Sequence, residues 1–240
     1  MGLYQLQIKV NQFLNGVGRK RVYHLKRKEV GINIGSDIET TPAFVGIDGS
    51  FLISFMGNRF FPRFFKKILY KRTCSSRNYP FETVMKKISN VRIIHHNLVY
   101  GVPFKKESAQ FIFTSHFLEH LTDANAKKLL KDCFRVLKKN GIIRITIPDL
   151  DEEVGKIKKD ILNYKSNRKI EPIQKYLTPI FAPEGEFATH KIIYNFETLK
   201  KVLESVKFKG VKKMNRFEGN LPGLNKLDTR EGGLIVEARK

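Results

Sequence analysis

The sequence of 240 residues is poor in cysteine, with only Cys74 and Cys133. Two cysteines do not suggest a disulfide framework, so we expect reduced thiols and a cytoplasmic protein. Long apolar runs are also absent, since no stretch reaches about 18 uninterrupted apolar residues, and no membrane span is expected. Polar residues interrupt the apolar start of the chain, so residues 1–28 are predicted to form an amphipathic helix and a basic link, not a signal peptide.

Acidic residues are scarce relative to basic ones. The chain has 23 Asp and Glu against 45 Lys and Arg, which gives a formal net charge of +22. Such a balance favours polyanionic partners, namely nucleic acid, anionic lipid or a phosphorylated glycan. An AT-rich genome that enriches lysine throughout its proteins is the alternative explanation. The length suits one α/β domain, spanning 1–240, with room for an insertion.

Residues 111–150 contain the pattern of one βαβ unit. The apolar run at 111–113 predicts a buried strand, and apolar residues at helical spacing follow Thr122, a predicted helix N-cap. Lys138 and Lys139, with Gly141 behind them, predict the last helical turn and its stop. The run at 142–147 predicts the next strand. A helix between two buried strands is typical of a parallel sheet.

Three stretches of this unit, SHFLEHL, FRVLKKNG and IRITIPDL, resemble the second half of a class I S-adenosylmethionine-dependent methyltransferase domain. Within that superfamily the chain is most similar to small bacterial type 11-like methyltransferases associated with surface polysaccharide synthesis. The resemblance covers about residues 31–150, with weaker similarity at 189–208. It implies a doubly wound, mostly parallel seven-stranded sheet with helices on both faces and an antiparallel last strand. It also implies S-adenosylmethionine as the cofactor.

The resemblance implies a cofactor site at the ends of successive strands. Gly35, after the first strand, would let the backbone approach the methionine part, and Asp48, at the end of the second, would accept hydrogen bonds from the ribose hydroxyls. Asp37 stands where this loop usually has another glycine, and aspartate tolerates the left-handed backbone that such a turn needs. The predicted cofactor contacts are Gly35, Ser36, Asp37, Asp48, Asn97, Leu98, Ser115 and His116.

His116 is the first candidate for a general base, because it leaves the sheet at the carboxyl ends of the strands, where α/β sites form. Histidine titrates near neutrality and suits that role. Glu119 and His190 are further catalytic candidates, and His120 is expected to fix the loop. The acceptor that the resemblance implies is a hydroxyl of a saccharide or lipid-linked glycan, although an amine is not excluded.

Other functions compete with this reading. HFLEH also spells H-x-x-E-H, an inverted zinc-protease signature, but its position directly after a buried strand favours a cofactor loop, and no metal ion is expected. RNA methylation competes because of the charge, yet Thr114–Phe117 replaces the Asn/Asp-Pro-Pro-aromatic loop of base methylation, and neither cysteine lies near it. DNA binding is not expected. A basic scaffold protein that kept the fold and lost turnover remains the alternative from another class.

An aromatic and basic insertion, residues 51–90, separates the second and third predicted strands. Seven cations between 59 and 77, without one acid, alternate with phenylalanines, which suits peripheral contact with an anionic membrane at its inner face. The alternative is a crossover helix whose phenylalanines pack on the sheet. Further along, the proline-containing segment 166–190 predicts a lid-like loop over the site.

Overall fold

The computed structural model describes residues 13, 16, 20–58, 60–71, 73, 76, 78–167 and 190–240. The predicted N-terminal helix lies outside the described residues except at residues 13 and 16, both helical. The predicted lid-like loop at 166–190 also lies outside them except at its ends, where 166 and 167 continue a helix.

The core of the protein is a seven-stranded sheet in the order β3-β2-β1-β4-β5-β7-β6. Strands β1 to β5 are parallel, and β7 runs antiparallel to both β5 and β6. The strands are β1 Gly31–Ile34, β2 Phe44–Asp48, β3 Arg92–His95, β4 Ala109–Ser115, β5 Leu137–Ile147, β6 Lys209–Lys213 and β7 Leu234–Arg239.

Helices cover the sheet and connect its strands. They are α1 Phe51–Gly57, α2 Arg63–Tyr70, α3 Phe81–Ser89, α4 Asp123–Val136, α5 Leu150–Asn167, α6 Phe196–Ser205 and α7 Leu224–Leu227, with 3₁₀ turns at Leu98–Tyr100 and Leu118–His120. Among the described residues, no helix has the length and apolarity needed to cross a bilayer.

The central strands are apolar on both faces because helices pack on each side. Ile32, Ile34, Val45 and Ile47 are all fully buried, as expected for parallel strands covered by crossover helices. The strand order and the single reversal at β7 are those of the Rossmann-like methyltransferase fold. The predicted fold class is therefore confirmed.

The helix starts follow the sequence signals. The Thr122 side chain accepts a hydrogen bond from the Asn125 amide at 3.4 Å, and Asp123 lies in the first turn of α4. Asn195 caps α6 in a reciprocal pair with Thr198, in which each side chain accepts from the other's amide at 3.0 Å. Capping groups of this kind satisfy amides that have no partner inside the helix.

The predicted end of α4 was wrong. The helix ends at Val136, and Lys138 and Lys139 lie in β5 instead of a last helical turn. Leu137 already pairs with Ala109 of β4, so the chain becomes extended immediately after the helix. Asn140, with φ +62°, then provides the left-handed residue just before Gly141.

The insertion between β2 and β3 forms α1, α2 and α3. The first and third bury apolar residues such as Met56 and Val84, whereas α2 does the opposite. Its Phe64, Phe65 and Ile68 are 71%, 51% and 41% exposed, while Lys66 is only 8% exposed. These three side chains face solvent, whereas Leu69 and Tyr70 at the end of the same helix pack against the apolar residues of α1 and α3. The alternative prediction, that the phenylalanines of this helix pack on the sheet, is therefore wrong for Phe64 and Phe65.

Candidate active site

The carboxyl ends of the parallel strands bring the predicted cofactor residues to one edge of the sheet. Ile34 of β1 is in register with Ile47 of β2 and with Thr114 of β4. The next residues along these three strands, Gly35, Asp48 and Ser115, therefore lie side by side. This edge is where ligands of open α/β sheets bind.

The loop after β1 contains two residues with left-handed backbone, although only one of them is glycine. Gly35 and Asp37 both have left-handed backbone, with φ of +64° and +42°. The Gly35 amide donates to the Ile47 carbonyl at 2.9 Å, and the Asp37 amide donates to Asp48 Oδ2 at 2.9 Å. The expectation that Asp37 tolerates the left-handed turn is confirmed.

Asp48 is fixed by main-chain donors at the end of β2. Its Oδ1 accepts from the Ser50 amide at 2.8 Å, and its Oδ2 accepts from the Asp37 amide. Burial raises the pKa of Asp48 to about 6, with the nearby Asp37 carboxylate adding to the rise and the two amides opposing it. Each oxygen keeps a second lone pair, so the carboxylate still has acceptor capacity for a diol.

Three predicted cofactor contacts have side chains that are turned away or already engaged. Ser36 is buried over Gly46, where a Cβ would overlap its Oγ. Leu98 belongs to the hydrophobic core. Asn97 Oδ1 accepts from the Val99 amide at 3.0 Å and so caps the 3₁₀ turn that follows. The main chain of Ser36 is engaged as well, since its amide donates to the Ile47 carbonyl and its carbonyl accepts from the Glu39 amide. Asn97 retains its amide group and one lone pair.

Phe117 borders the cofactor loop, and sequence reasoning missed it. A Cβ on Gly35 would overlap the Phe117 ring, so this position requires glycine for close approach as well as for its positive φ. The ring is partly buried and packs against the main core. A lone phenylalanine after a strand carries no signal that would have identified this contact.

His116 occupies a left-handed position at the end of β4, with φ +50°. Its amide donates to the Thr146 carbonyl at 2.8 Å, which continues the β4–β5 ladder by one residue. Its Nδ1 lies 3.3 Å from Glu119 Oε1, and its buried Nε2 has no hydrogen-bond partner in the described part of the chain. Unusual backbone of this kind is concentrated at functional sites.

The other predicted catalytic residues lie around the 3₁₀ turn Leu118–His120. Glu119 is 1% exposed, and the rings of His120 and His190 are 5.0 Å apart at their centroids. Burial lowers the pKa of His190, while the Glu119 carboxylate acts in the opposite direction. The structure therefore brings Glu119, His120 and His190 together, although a long stretch of sequence separates the last from the others.

Tyr194 is a second residue that sequence reasoning missed. It is buried, and its hydroxyl has no hydrogen-bond partner among the described residues. Burial is the main cause that raises the pKa of Tyr194 to about 12. The negative charges of Asp123 and Glu119 contribute to this rise. Its main chain bridges Asp149, next to the end of β5, so the segment that carries His190 is tied to the sheet.

The described cysteine, Cys133, does not fit a nucleophile. It is fully enclosed on the inner face of α4, and burial raises the pKa of its thiol. A catalytic thiolate needs a lowered pKa and access to substrate.

Comparison with protein families gives a match over part of the chain. Residues 72–145 match the family model of a methyltransferase domain, which extends from the insertion into β5. No curated protein matches the chain by sequence.

Solved methyltransferase structures resemble the fold at low identity. One from Archaeoglobus fulgidus is 16% identical with a TM-score of 0.44, each chain being covered completely. One from Thermotoga maritima is 17% identical with a TM-score of 0.44, over 98% of this chain and 93% of the other. A Haemonchus contortus phosphoethanolamine N-methyltransferase with bound S-adenosylmethionine is 17% identical with a TM-score of 0.41, over 85% of this chain and 38% of the other.

The cofactor loop, the carboxylate at the end of β2 and the strand order fit S-adenosylmethionine. The methyltransferase-domain match at residues 72–145 covers less than half of the chain.

Proposed function

We propose that this protein is an S-adenosylmethionine-dependent methyltransferase that acts on a hydroxyl of a saccharide or lipid-linked glycan intermediate. The main supporting observation is the alignment of Gly35, Asp48 and Ser115 at the carboxyl edge of β1, β2 and β4. Gly35 would let the backbone approach the methionine part closely, and Asp48 would accept from the ribose hydroxyls. When bound, S-adenosylmethionine supplies a methyl group activated on a sulfonium.

His116 is the residue that we propose as general base. Its Nε2 would accept the proton of the acceptor hydroxyl, and its Nδ1 lies 3.3 Å from Glu119 Oε1. Histidine is the usual base for this task because its pKa lies near neutrality. Holding an acceptor in line with its donor contributes roughly 7–11 kcal/mol to such reactions, so positioning by the surrounding loop accounts for much of the rate.

The loop after β4 and the buried cysteine support the proposal of a hydroxyl acceptor. The loop after β4 is Ser115-His116-Phe117, without the polar-proline pattern of base methylation, and Cys133 is buried. Both features speak against a nucleobase and favour a hydroxyl. The test is transfer of a radiolabelled methyl group to a lipid-linked glycan fraction or to total RNA from the same cells. Label in RNA alone would contradict the proposal, and label in the glycan fraction alone would support it.

The raised pKa of Asp48 predicts pH-dependent cofactor affinity. The ribose hydroxyls need the ionised carboxylate, so affinity rises as pH increases through about 6 and levels off above it. At pH 5 about one tenth of Asp48 is ionised, and affinity should be about tenfold lower than at pH 8. Calorimetric titrations across this range measure it. Asp48→Ala is the control, and the same pH dependence in that variant would assign the effect to another group.

We further propose that α2 meets an anionic membrane surface. Phe64, Phe65 and Ile68 form its exposed apolar stripe, and the exposed cations Lys67 and Lys71 flank the stripe. Exposed apolar side chains bordered by lysine suit insertion at a lipid interface. Each cation near an anionic surface contributes about 1 kcal/mol, so binding should be salt-sensitive.

Sedimentation with vesicles tests this contact. We expect binding to vesicles containing anionic lipid, weaker binding at high salt, and loss of binding in Phe64→Ser and in Lys67→Gln/Lys71→Gln. The matched control is Lys138→Gln/Lys139→Gln, which removes the same charge from exposed positions of β5. Equal loss in the control would mean that net charge alone drives binding. Equal partitioning onto neutral vesicles, or onto neither kind, would contradict the proposal.

A further inference from the structure

Three side chains with metal-binding atoms converge beside the candidate base. One ligand atom from each of Glu119, His120 and His190 lies within 4.8 Å of the other two. Two of the residues are neighbours in the 3₁₀ turn after β4, and the third comes from the segment before α6. Zinc–ligand distances of about 2.0–2.2 Å require donor atoms somewhat closer than this, so small side-chain rotations would close the site.

Glu119 is a buried acid beside the two histidines. It is 1% exposed, and neither carboxylate oxygen has a hydrogen-bond partner among the residues described. The 3.3 Å approach of His116 Nδ1 to Oε1 is not aligned as a hydrogen bond. A buried carboxylate normally has a hydrogen-bonding or charged partner, because removing it from water without one is costly. A cation at this point would supply that partner.

The main chain holds the three donors in place. The amides of Lys191 and Ile192 donate to the Glu119 carbonyl at 2.8 and 3.2 Å. These bonds fix His190 against the 3₁₀ turn that carries the other two donors. The His120 amide in turn donates to the Phe117 carbonyl at 3.2 Å. Main-chain hydrogen bonds thus hold the segments that carry the three donors next to each other.

We propose that Glu119, His120 and His190 bind a divalent transition-metal ion of the zinc type. One carboxylate and two imidazoles form the ligand set of catalytic zinc and of non-haem iron sites. Magnesium and calcium prefer oxygen ligands throughout, so they fit this set less well. Three protein ligands leave a coordination position open for water or for a substrate oxygen.

This site differs from the zinc-protease signature in the same sequence. That signature needs both histidines of H-x-x-E-H on one regular helix. Here His116 has φ +50°, and only the turn Leu118–His120 is helical, so His116 and His120 do not share a regular helical face. The third ligand is His190 instead. His116 lies beside the ligating carboxylate, with its Nδ1 3.3 Å from Glu119 Oε1, and is not itself one of the three ligands.

The consequence for catalysis rests on the proposed methyltransferase function. An ion with an open position acts as a Lewis acid and lowers the pKa of a bound hydroxyl. An acceptor hydroxyl held there would give up its proton more readily to a nearby base. The ion would therefore assist the general base in removing the proton of the acceptor hydroxyl. The preferred acceptors would be those with an oxygen atom free to coordinate the ion.

Cobalt(II) titration of the tag-free, chelator-treated protein tests the site, with visible absorption and calorimetry as readouts. We expect one ion per chain, and at least about tenfold weaker binding in His190→Ala and Glu119→Gln, because even outer partners of a metal site change affinity by about 10–100-fold. His24→Ala, which removes an exposed histidine, should bind cobalt as the wild type does. Zinc should raise the unfolding temperature of the wild type and not that of His190→Ala.

Absence of cobalt binding by the wild type, or unchanged binding in His190→Ala, would overturn the metal site. Titration of the same samples with S-adenosylmethionine separates this result from the proposed function. Cofactor binding without metal binding would remove only the metal site. Metal binding without cofactor binding would retain the metal site and contradict the methyltransferase.

Discussion

His116→Ala is expected to slow methyl transfer by about 10²–10⁴-fold while leaving the affinity for S-adenosylmethionine nearly unchanged. The substitution removes the group that would take the acceptor proton, but the in-line positioning of donor and acceptor remains. Single-turnover transfer measures the first quantity and calorimetry the second. The effect should appear in the turnover number, because the proton is transferred only as the reaction proceeds.

The backbone at position 116 requires a second variant. With φ +50°, alanine at this position could disturb the turn, whereas asparagine enters left-handed backbone readily and has no basic nitrogen. His116→Asn should therefore show the same loss of turnover with a normal unfolding curve. Turnover within a few-fold of the wild type in both variants would assign the base to another residue, with His190 the next candidate.

Arg144 carries the second large effect, which concerns stability. Its guanidinium is fully buried in the middle of β5 and pairs with Asp228 Oδ2 at 2.6 Å and with Glu237 Oε1 at 2.7 Å. It also donates to the carbonyls of Glu218 and Asn215 at 2.7 and 3.1 Å. The group thus joins β5 to β7 and to the loop between β6 and β7.

Arg144→Met should lower the free energy of unfolding by about 3–5 kcal/mol, because two buried carboxylates would lose their cation. Urea unfolding measures the change. The matched control is Arg63→Met, which breaks the pair with Glu82, where both side chains are about 70% exposed. An exposed pair of this kind is worth about 0–1 kcal/mol. Similar losses of unfolding free energy in both variants would mean that burial does not increase the contribution of the Arg144 ion pairs to stability.

Much of the fold could be predicted from local signals. Asp48 is predicted to lie at the end of the second strand, and β2 does end there. Thr122 is predicted as a helix N-cap, because its side chain can accept from a free amide, and α4 begins at the next residue. The end of α4 was missed because Lys138 and Lys139 also suit a helix C-terminus, and only pairing with β4 reveals that this segment is extended.

The site was predictable where it depends on strand ends, and not where it depends on distant contacts or side-chain direction. Successive strands located Gly35, Asp48 and Ser115, because parallel strands present their carboxyl ends at one edge. No local signal indicates that the Ser36 side chain turns inward. None indicates that His190 reaches Glu119 either, since that contact depends on main-chain bonds across the fold.

The orientation of α2 shows the same limit. A helical pattern tells which residues share a face, but it does not tell whether that face meets the protein or the solvent. Here Lys66 is the buried residue and Phe64 is exposed, because α1 and α3 already cover this end of the sheet with their own apolar residues. The choice between core and surface could therefore be made only from the structure.

The central claim is that the edge formed by β1, β2 and β4 holds S-adenosylmethionine, and calorimetric titration of the wild type at pH 8 tests it most directly. We expect saturable binding at one site, weakened at least about tenfold by Asp48→Ala, because hydrogen bonds to a charged group contribute about 1.5–3 kcal/mol. Glu204→Ala, an exposed acid on α6, should bind as the wild type does. No binding by the wild type would contradict the account and favour a basic scaffold that kept the fold without the activity.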